Sequence, residues 1–289
     1  MTRILITGAN GQLGNALRLE LAGDPNIDAV YTDVEDLDIT NAEAVENFLR
    51  DNAIEMMVNC AAYTAVDRAE SDELRAAAIN TEAVGIIGQA AGRLGIRVIH
   101  ISTDYVFSGE SYRPYEEKDE PFPQSIYGRT KLEGEGLLTS FCKDAVIIRT
   151  AWLYSEFGNN FVKTMLRLAG EKEELGVVSD QIGTPTYAGD LAAAIHAVIR
   201  SEEWKPGIYH FTDEGVASWY DFAKSIFEIA GKDIRVKPLL TSEYPTAARR
   251  PMYSVLSKNK IKRTYNIEIP YWRESLEKCI GRLGNTQNA

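Results

Sequence analysis

The chain has little cysteine, little histidine and no surplus of positive charge, and each shortage removes a class of function. Its three cysteines, Cys60, Cys142 and Cys279, are odd in number and far apart in a chain of 289 residues. That spacing argues against a disulfide framework and fits a reducing compartment. No Cys-x-x-Cys pair occurs, and His100, His196 and His210 are scattered, so a zinc site has little support. The net charge of −11 repels phosphate backbones and argues against broad nucleic-acid binding. It leaves room for one small phosphorylated ligand in a locally basic pocket. No apolar run approaches the roughly 20 residues that span a membrane. The stretch from Met1 to Gly11 has too short an apolar region for a signal peptide, so the chain is expected to stay in the cytoplasm.

What is present is ordinary globular composition, 45% apolar and 25% charged, which excludes collagen-like and disordered classes. In the first half, short apolar runs alternate with helical spacing. Arg3–Thr7, Ala29–Asp33, Glu55–Ala61, Arg97–Ser102 and Ala145–Thr150 read as strands. Leu13–Leu21, Ala42–Asp51, Ala76–Leu94 and Thr130–Leu138 read as helices. Such alternation gives parallel β-α-β units with helices on both faces of a sheet. After residue 150 the pattern is less regular and richer in proline. Helices are predicted at Phe161–Ala169, Gly189–Arg200, Trp219–Ala230 and Trp272–Leu283. Short strands are predicted at 177–178, 208–211 and 234–236. The expected fold is α/β, with a Rossmann-type doubly wound parallel sheet over residues 1–150. Segments of the second half can return to that sheet. A smaller α+β substrate domain is expected over residues 151–289, with a frayed polar tail from Gly284.

Gly8-Ala9-Asn10-Gly11-Gln12-Leu13-Gly14 joins the first strand to the first helix. Glycines there permit a tight turn and close backbone approach, and the helix N-terminus offers free N–H groups to a pyrophosphate. The bland alternative is a turn without a ligand. Asp33 ends the next strand, 19 residues beyond Gly14, where a carboxylate can hold an adenosine ribose. A carboxylate there repels a 2′-phosphate and favours NADH over NADPH. Asp38 and Ile39 flank the adenine, or Asp36 and Asp38 simply cap the helix starting near Asn41.

Tyr127 and Lys131 are four residues apart, hence on one face if the segment is helical. A free phenol, with a pKa near 10, exchanges protons poorly at neutral pH, and a nearby ammonium lowers that pKa. Alone this pair is common and marks an exposed helix face. Here it follows Ser102-Thr103-Asp104, which ends a predicted strand where parallel sheets meet ligands. A hydroxyl there can bond a substrate oxygen, or serve turn chemistry only.

These elements together resemble the extended short-chain dehydrogenase/reductase superfamily. Longer strings narrow the resemblance. They are Gly11–Gly14, Asn59–Asp67, Ser102–Phe107, Tyr127–Glu133, Arg149–Tyr154, Gly158–Val162 and Asp180–Thr186. Together they resemble the dTDP-4-dehydrorhamnose reductase family over residues 4–280. The resemblance implies reduction of the C4 keto group of dTDP-4-dehydro-L-rhamnose by NADH or NADPH. It implies Tyr127 as the general acid, Lys131 as its tuner and nicotinamide-ribose ligand, and Thr103 as donor to the C4 oxygen. Ala61, Ala62 and Tyr63 would line the cofactor, with Asn80 in support. Thr64, Val66, Asp104 and Trp152 would contact the sugar or nucleotide, though core packing is the commoner fate of a tryptophan. Asn159 and Asn160 would bind substrate, or Asn160 would cap the following helix. Arg250, in Ala248-Arg249-Arg250-Pro251, would meet the diphosphate, or the two arginines would sit at the surface before a turn.

Some members of that family hold magnesium between subunits through carboxylates. Here Asn15 stands at one of those positions and Asp190 near another, so no metal ligand is assigned and magnesium is doubtful. A homodimer held in another way stays open. Other nucleotide-sugar enzymes of the superfamily are the main rivals. Dehydratases follow the active-site threonine with Asp-Glu, whereas Asp104-Tyr105 follows Thr103. Epimerases carry a larger substrate domain. A non-catalytic dinucleotide-binding regulatory subunit is the rival from a different class.

Overall fold

The protein is described from a computed structural model covering residues 1–286. The chain opens with β1 (Thr2–Thr7), α1 (Gln12–Leu21), β2 (Ile27–Thr32), α2 (Ala42–Asp51) and β3 (Met56–Asn59). Short helices α3 (Val66–Ala69) and α4 (Glu73–Ala77) lead through one wide π turn, Ala78–Glu82, into α5 (Ala83–Leu94). Next come β4 (Arg97–Thr103), α6 (Ile126–Phe141) and β5 (Ala145–Thr150). The remainder begins with β6 (Leu153–Tyr154), α7 (Phe161–Leu168), β7 (Glu174–Val178), β8 (Ile182–Gly183), β9 (Thr186–Tyr187) and α8 (Ala188–Arg200). It closes with β10 (Gly207–His210), β11 (Ala217–Ser218), α9 (Trp219–Ile229), β12 (Arg235–Leu239), α10 (Asn259–Tyr265) and α11 (Trp272–Thr286). The tail expected to fray is helical to Thr286, and residues 287–289 lie outside the described residues.

Six strands form one parallel sheet in the order β2-β1-β3-β4-β5-β10. The chain steps outward from β1 to β2, then returns to pair β3 on the other side of β1. A crevice opens at that reversal, beyond the carboxyl ends of the strands. Side chains alternate along β1. Ile4 and Ile6 pack with Leu17, Leu191 and Ile195 on one face. Leu5 packs with Leu49, Ile87 and Leu138 on the other. Both faces are thus apolar and helix-covered, which is why these strands read as continuous apolar runs. Two segments of the second half belong to this body. Strand β10 extends the sheet beside β5, and α8 packs across α1. A separate apolar cluster lies under α7, α9 and α11, built on Val162, Phe222, Ile226 and Leu276.

Several predicted boundaries shift for identifiable reasons. Helix α6 begins at Ile126, not Thr130, because Ser125 caps it by accepting from Gly128 N at 3.1 Å. Tyr127 therefore sits in its first turn. Strand β3 stops at Asn59, not Ala61, because the Asn59 side chain takes the Ala61 N–H. The helical stretch begins at Glu73, not Ala76, and widens at Ala78–Glu82. Helices α3 and α10 and the two-residue strands β6, β8, β9 and β11 were not predicted, since segments so short carry no readable period.

Candidate active site

A cleft of about 980 Å³ runs across the carboxyl ends of β1, β3, β4 and β5. At one end lies the glycine turn. Gly8 has φ +63°, and a Cβ there would meet Ala61 N at 2.7 Å. A Cβ on Gly14 would lie 2.5 Å from Ala9 Cα. Only glycine lets β1, the turn and α1 close this tightly. No side chain caps α1, whose N-cap is Gly11, so its first N–H groups remain available at the cleft. This backbone cradle and positive helix end fit a pyrophosphate. Asp33 lines the same end, its Oδ2 accepting from Asn10 N at 2.9 Å. Asp38 and Ile39 line it as well. Asp38 binds Thr40 N and Oγ1 at 2.9 and 2.7 Å, bonds that hold its carboxyl below the usual range. The cap of α2 is Asn41, which settles the alternative reading of Asp36 and Asp38.

Gly11, Gln12, Leu13, Ala61, Ala62, Thr64 and Val66 also line the cleft. Asn10, Tyr63 and Asn80 do not, and each has another task. Asn10 closes the turn through its backbone, while Tyr63 sends its hydroxyl to Asp72 at 3.0 Å. Asn80 is fully buried and clasps the Tyr63 backbone, accepting from its N–H and donating to its carbonyl at 2.9 and 3.1 Å.

At the cleft centre stand Thr103, Asp104, Tyr127 and Lys131. The Thr103 hydroxyl donates to Asp104 Oδ1 at 3.0 Å. Burial raises Asp104 to about 6. Burial also raises Tyr127, with Thr103 working against it. Lys131 Nζ donates to the Ile101 carbonyl at 2.6 Å, and burial pushes its pKa down to about 8. The expectation that Lys131 lowers the Tyr127 pKa is therefore corrected for this geometry. The amine is turned to the Ile101 carbonyl on the strand below, and burial is the largest influence on the phenol.

The opposite wall comes from the second half. Trp152 has φ +48°, a strained backbone for a bulky residue, and its indole stacks on Trp219 at 3.6 Å and 11°. A Cβ on Gly183 would meet that indole at 2.6 Å, so the glycine makes room for it. Asn159 lines the cleft. Asn160 caps α7 through Lys163 N, and its amide donates to Gln12 Oε1 at 2.9 Å inside the cleft. Arg250 lines the cleft with its guanidinium on the Tyr105 hydroxyl at 2.9 Å and on Asp67. Its neighbour Arg249 is the surface arginine, paired with Glu110. Tyr105, Trp219, Arg75 and Thr150 also line the cleft and were not singled out from the sequence. Tyr105 stands edge-on to Tyr127 at 5.5 Å, and its place directly after Asp104 was the available signal. Trp219 carried no local signal.

Asn15 donates to the Asn10 and Gly11 carbonyls, both at 2.9 Å, and so locks the glycine turn. Asp190 accepts from Ser275. Among the described residues, no cluster of three or more His, Cys, Asp or Glu could hold a metal. None of the described helices is long and apolar enough to cross a membrane.

A family model described as the RmlD substrate binding domain matches residues 1–285. The chain is 43% identical over 290 residues to the dTDP-4-dehydrorhamnose reductase of Sinorhizobium fredii, covering 97% of each chain. A crystal structure of a dTDP-4-dehydrorhamnose reductase from Clostridium acetobutylicum superposes with a TM-score of 0.94 at 45% identity, covering 98% of this chain and all (100%) of that one. A Bacillus anthracis dTDP-4-dehydrorhamnose reductase crystallised with NADP also gives 0.94, at 40% identity, covering 98% and 100% of the two chains.

Proposed function

Because the chain belongs to the RmlD substrate binding domain family, we propose that it is a nicotinamide-dependent oxidoreductase that reduces the C4 keto group of dTDP-4-dehydro-L-rhamnose to give dTDP-L-rhamnose. The observation that carries this reading is the meeting of Thr103, Tyr127 and Lys131 with the glycine cradle in one cleft. When bound, a reduced nicotinamide supplies hydride to C4. The Thr103 hydroxyl then bonds the C4 oxygen, and Tyr127, the general acid, gives that oxygen its phenolic proton. Lys131, turning from Ile101 toward the ribose, assists as the ammonium, because a positive charge beside Tyr127 stabilises the phenolate left behind. Gly8–Gly14 holds the pyrophosphate and Asp33 the adenosine ribose, which favours NADH. Ala61, Ala62, Asp38 and Ile39 line the cofactor, while Tyr63 and Asn80 brace the loop from below.

For the sugar nucleotide, we assign Thr64, Val66, Asp104, Trp152, Asn159, Asn160 and Arg250. The guanidinium fork of Arg250 suits diphosphate oxygens. No metal ligand is assigned, and a homodimer is compatible with this reading. The three free cysteines support a reducing, cytoplasmic setting.

The test is loss of NADH absorbance on adding dTDP-4-dehydro-L-rhamnose, with NADPH in parallel. Oxidation with dTDP-L-rhamnose as product is expected, faster with NADH. No oxidation with either cofactor, in protein shown to bind dinucleotide, would overturn the reading.

A further inference from the structure

Beneath the cleft floor runs a buried chain of polar side chains that ends on Lys131 and whose other members the reaction above leaves without a task. Thr7, Asn59, His100 and Lys131 are each no more than 1% exposed. Asn59 and His100 are cross-strand neighbours on β3 and β4. Asn59 Oδ1 accepts from the Thr7 hydroxyl at 2.8 Å and from Ala61 N–H at 3.2 Å. A backbone N–H can only donate, so it fixes which end of the Asn59 amide faces it. The amide nitrogen must then face His100, where Nδ2 lies 3.0 Å from Nδ1. An NH₂ group can only donate, so His100 Nδ1 carries no proton. A neutral imidazole has one N–H, which is therefore on Nε2. Burial holds His100 well below the usual histidine range, so the neutral form prevails.

His100 Nε2 lies 3.3 Å from Lys131 Nζ. An ammonium has three N–H donors and no lone pair, so against Nε2–H it would set donor against donor. A neutral amine has the lone pair that Nε2–H needs, and it keeps N–H groups for the Ile101 carbonyl.

We propose that His100 is a positioning residue that favours the neutral amine of Lys131 over its ammonium in the free protein, its tautomer fixed by Asn59 and, through Asn59, by the Ala61 backbone. The other groups around Lys131 do not cancel this. Glu135, one turn on in α6, favours the ammonium, but its carboxylate is held by Arg149 at 2.9 and 2.6 Å and by Ser102 at 2.5 Å. Cys60 faces Lys131 as a neutral thiol, pushed up to about 12 by burial. Tyr127, one turn earlier, is neutral as well. Burial of Lys131 acts in the same direction as His100.

The functional consequence rests on the reductase reading, in which the ammonium assists Tyr127. Lys131 carries that proton below its free-protein pKa and must take one from solvent above it. The value of kcat/KM should fall as pH rises through the free-protein pKa of Lys131, about 8. His100→Gln removes the locked donor, because a free amide can turn its oxygen toward an ammonium. The alkaline fall should move up by about one pH unit or more in that variant, with kcat/KM at about pH 6.5 changed less than about threefold. A uniform loss at every pH, with the fall unmoved, would assign His100 a merely structural role and overturn the proposal.

A second measurement needs no variant. Nitrogen NMR of the full chain labelled in histidine should show His100 protonated at Nε2 and bare at Nδ1 from about pH 6 to about pH 9. A proton on Nδ1 anywhere in that range overturns the proposal, whether or not His100→Gln folds. Absence of turnover by the native protein at any pH would sink the reductase reading alone, leaving the NMR result to decide this inference.

Discussion

The two walls of the cleft are built from different materials. The wall proposed to hold the dinucleotide is mostly backbone, made of the turn from Gly8 to Gly14 and the loop from Ala61 to Thr64 at the ends of adjacent strands. The facing wall is side chain on side chain. Trp152 rests on Trp219, and Arg250 is held by Tyr105 and Asp67, partners brought together from well separated parts of the chain. A backbone wall needs glycine at fixed offsets, because a Cβ at Gly8 or Gly14 would strike neighbouring backbone. A side-chain wall imposes no spacing, since many pairings fill the same volume. The first wall suits a cofactor common to many proteins, and the second suits a substrate particular to one family.

That contrast can be broken by variants on either side and between them. The largest effect is expected from Tyr127→Phe at the centre. The ring keeps its edge-on contact with Tyr105 but loses the acidic proton, so kcat should drop by about 10²–10⁴ while NADH binding changes less than about twofold. A near-normal kcat would remove Tyr127 from the acid role. On the substrate wall, Arg250→Ala should raise KM for the sugar nucleotide by about 10–100-fold with NADH affinity unchanged. An equal loss of NADH affinity would mean that the two walls are not separate in function. On the cofactor wall, Asp33→Ala should weaken NADH about tenfold more than NADPH. Equal losses would refute the ribose contact.

The same contrast explains what the sequence made legible. The strands were readable because apolar runs covered by helices on both faces leave continuous hydrophobic signals, as at Ala145–Thr150. The glycine turn and the Tyr127–Lys131 spacing were readable because local geometry dictates both. Three kinds of feature were not. Trp219 reaches the cleft only by stacking on Trp152, a contact that no periodicity encodes. Tyr63 belongs to a family string, yet its ring points away to Asp72, because a string records positions and not rotamers. Lys131 lies on the expected helix face, but a buried amine goes to the nearest acceptor, here the Ile101 carbonyl instead of the phenol.

The smallest effect concerns the seam where the second half rejoins the first. His196 on α8 places Nδ1 2.9 Å from Glu20 and Nε2 2.9 Å from Asp24, both carried by α1 or the turn after it. The two carboxylates raise the His196 pKa against the pull of burial, and the His196 bond is the main cause that lowers Asp24 to about 2. A histidine whose folded pKa is raised stabilises most below its unfolded value, near ~6.5, and loses that contribution as pH rises through the folded value. Asp24 behaves oppositely, contributing above its unfolded value of ~3.9 and losing it as pH falls toward 2. The clamp is therefore strongest between about pH 4 and about pH 6.5. His196→Gln keeps the size and one hydrogen bond but not the charge. It should lower Tm by about 1–2 °C more at about pH 5.5 than at about pH 8.5, a modest difference because the pair is partly solvated. A deficit in Tm that stays constant with pH would mean that His196 contributes shape alone. Helix α8 would then be bound to the first body by its apolar face, through Leu191, Ile195 and Val198, without help from charge.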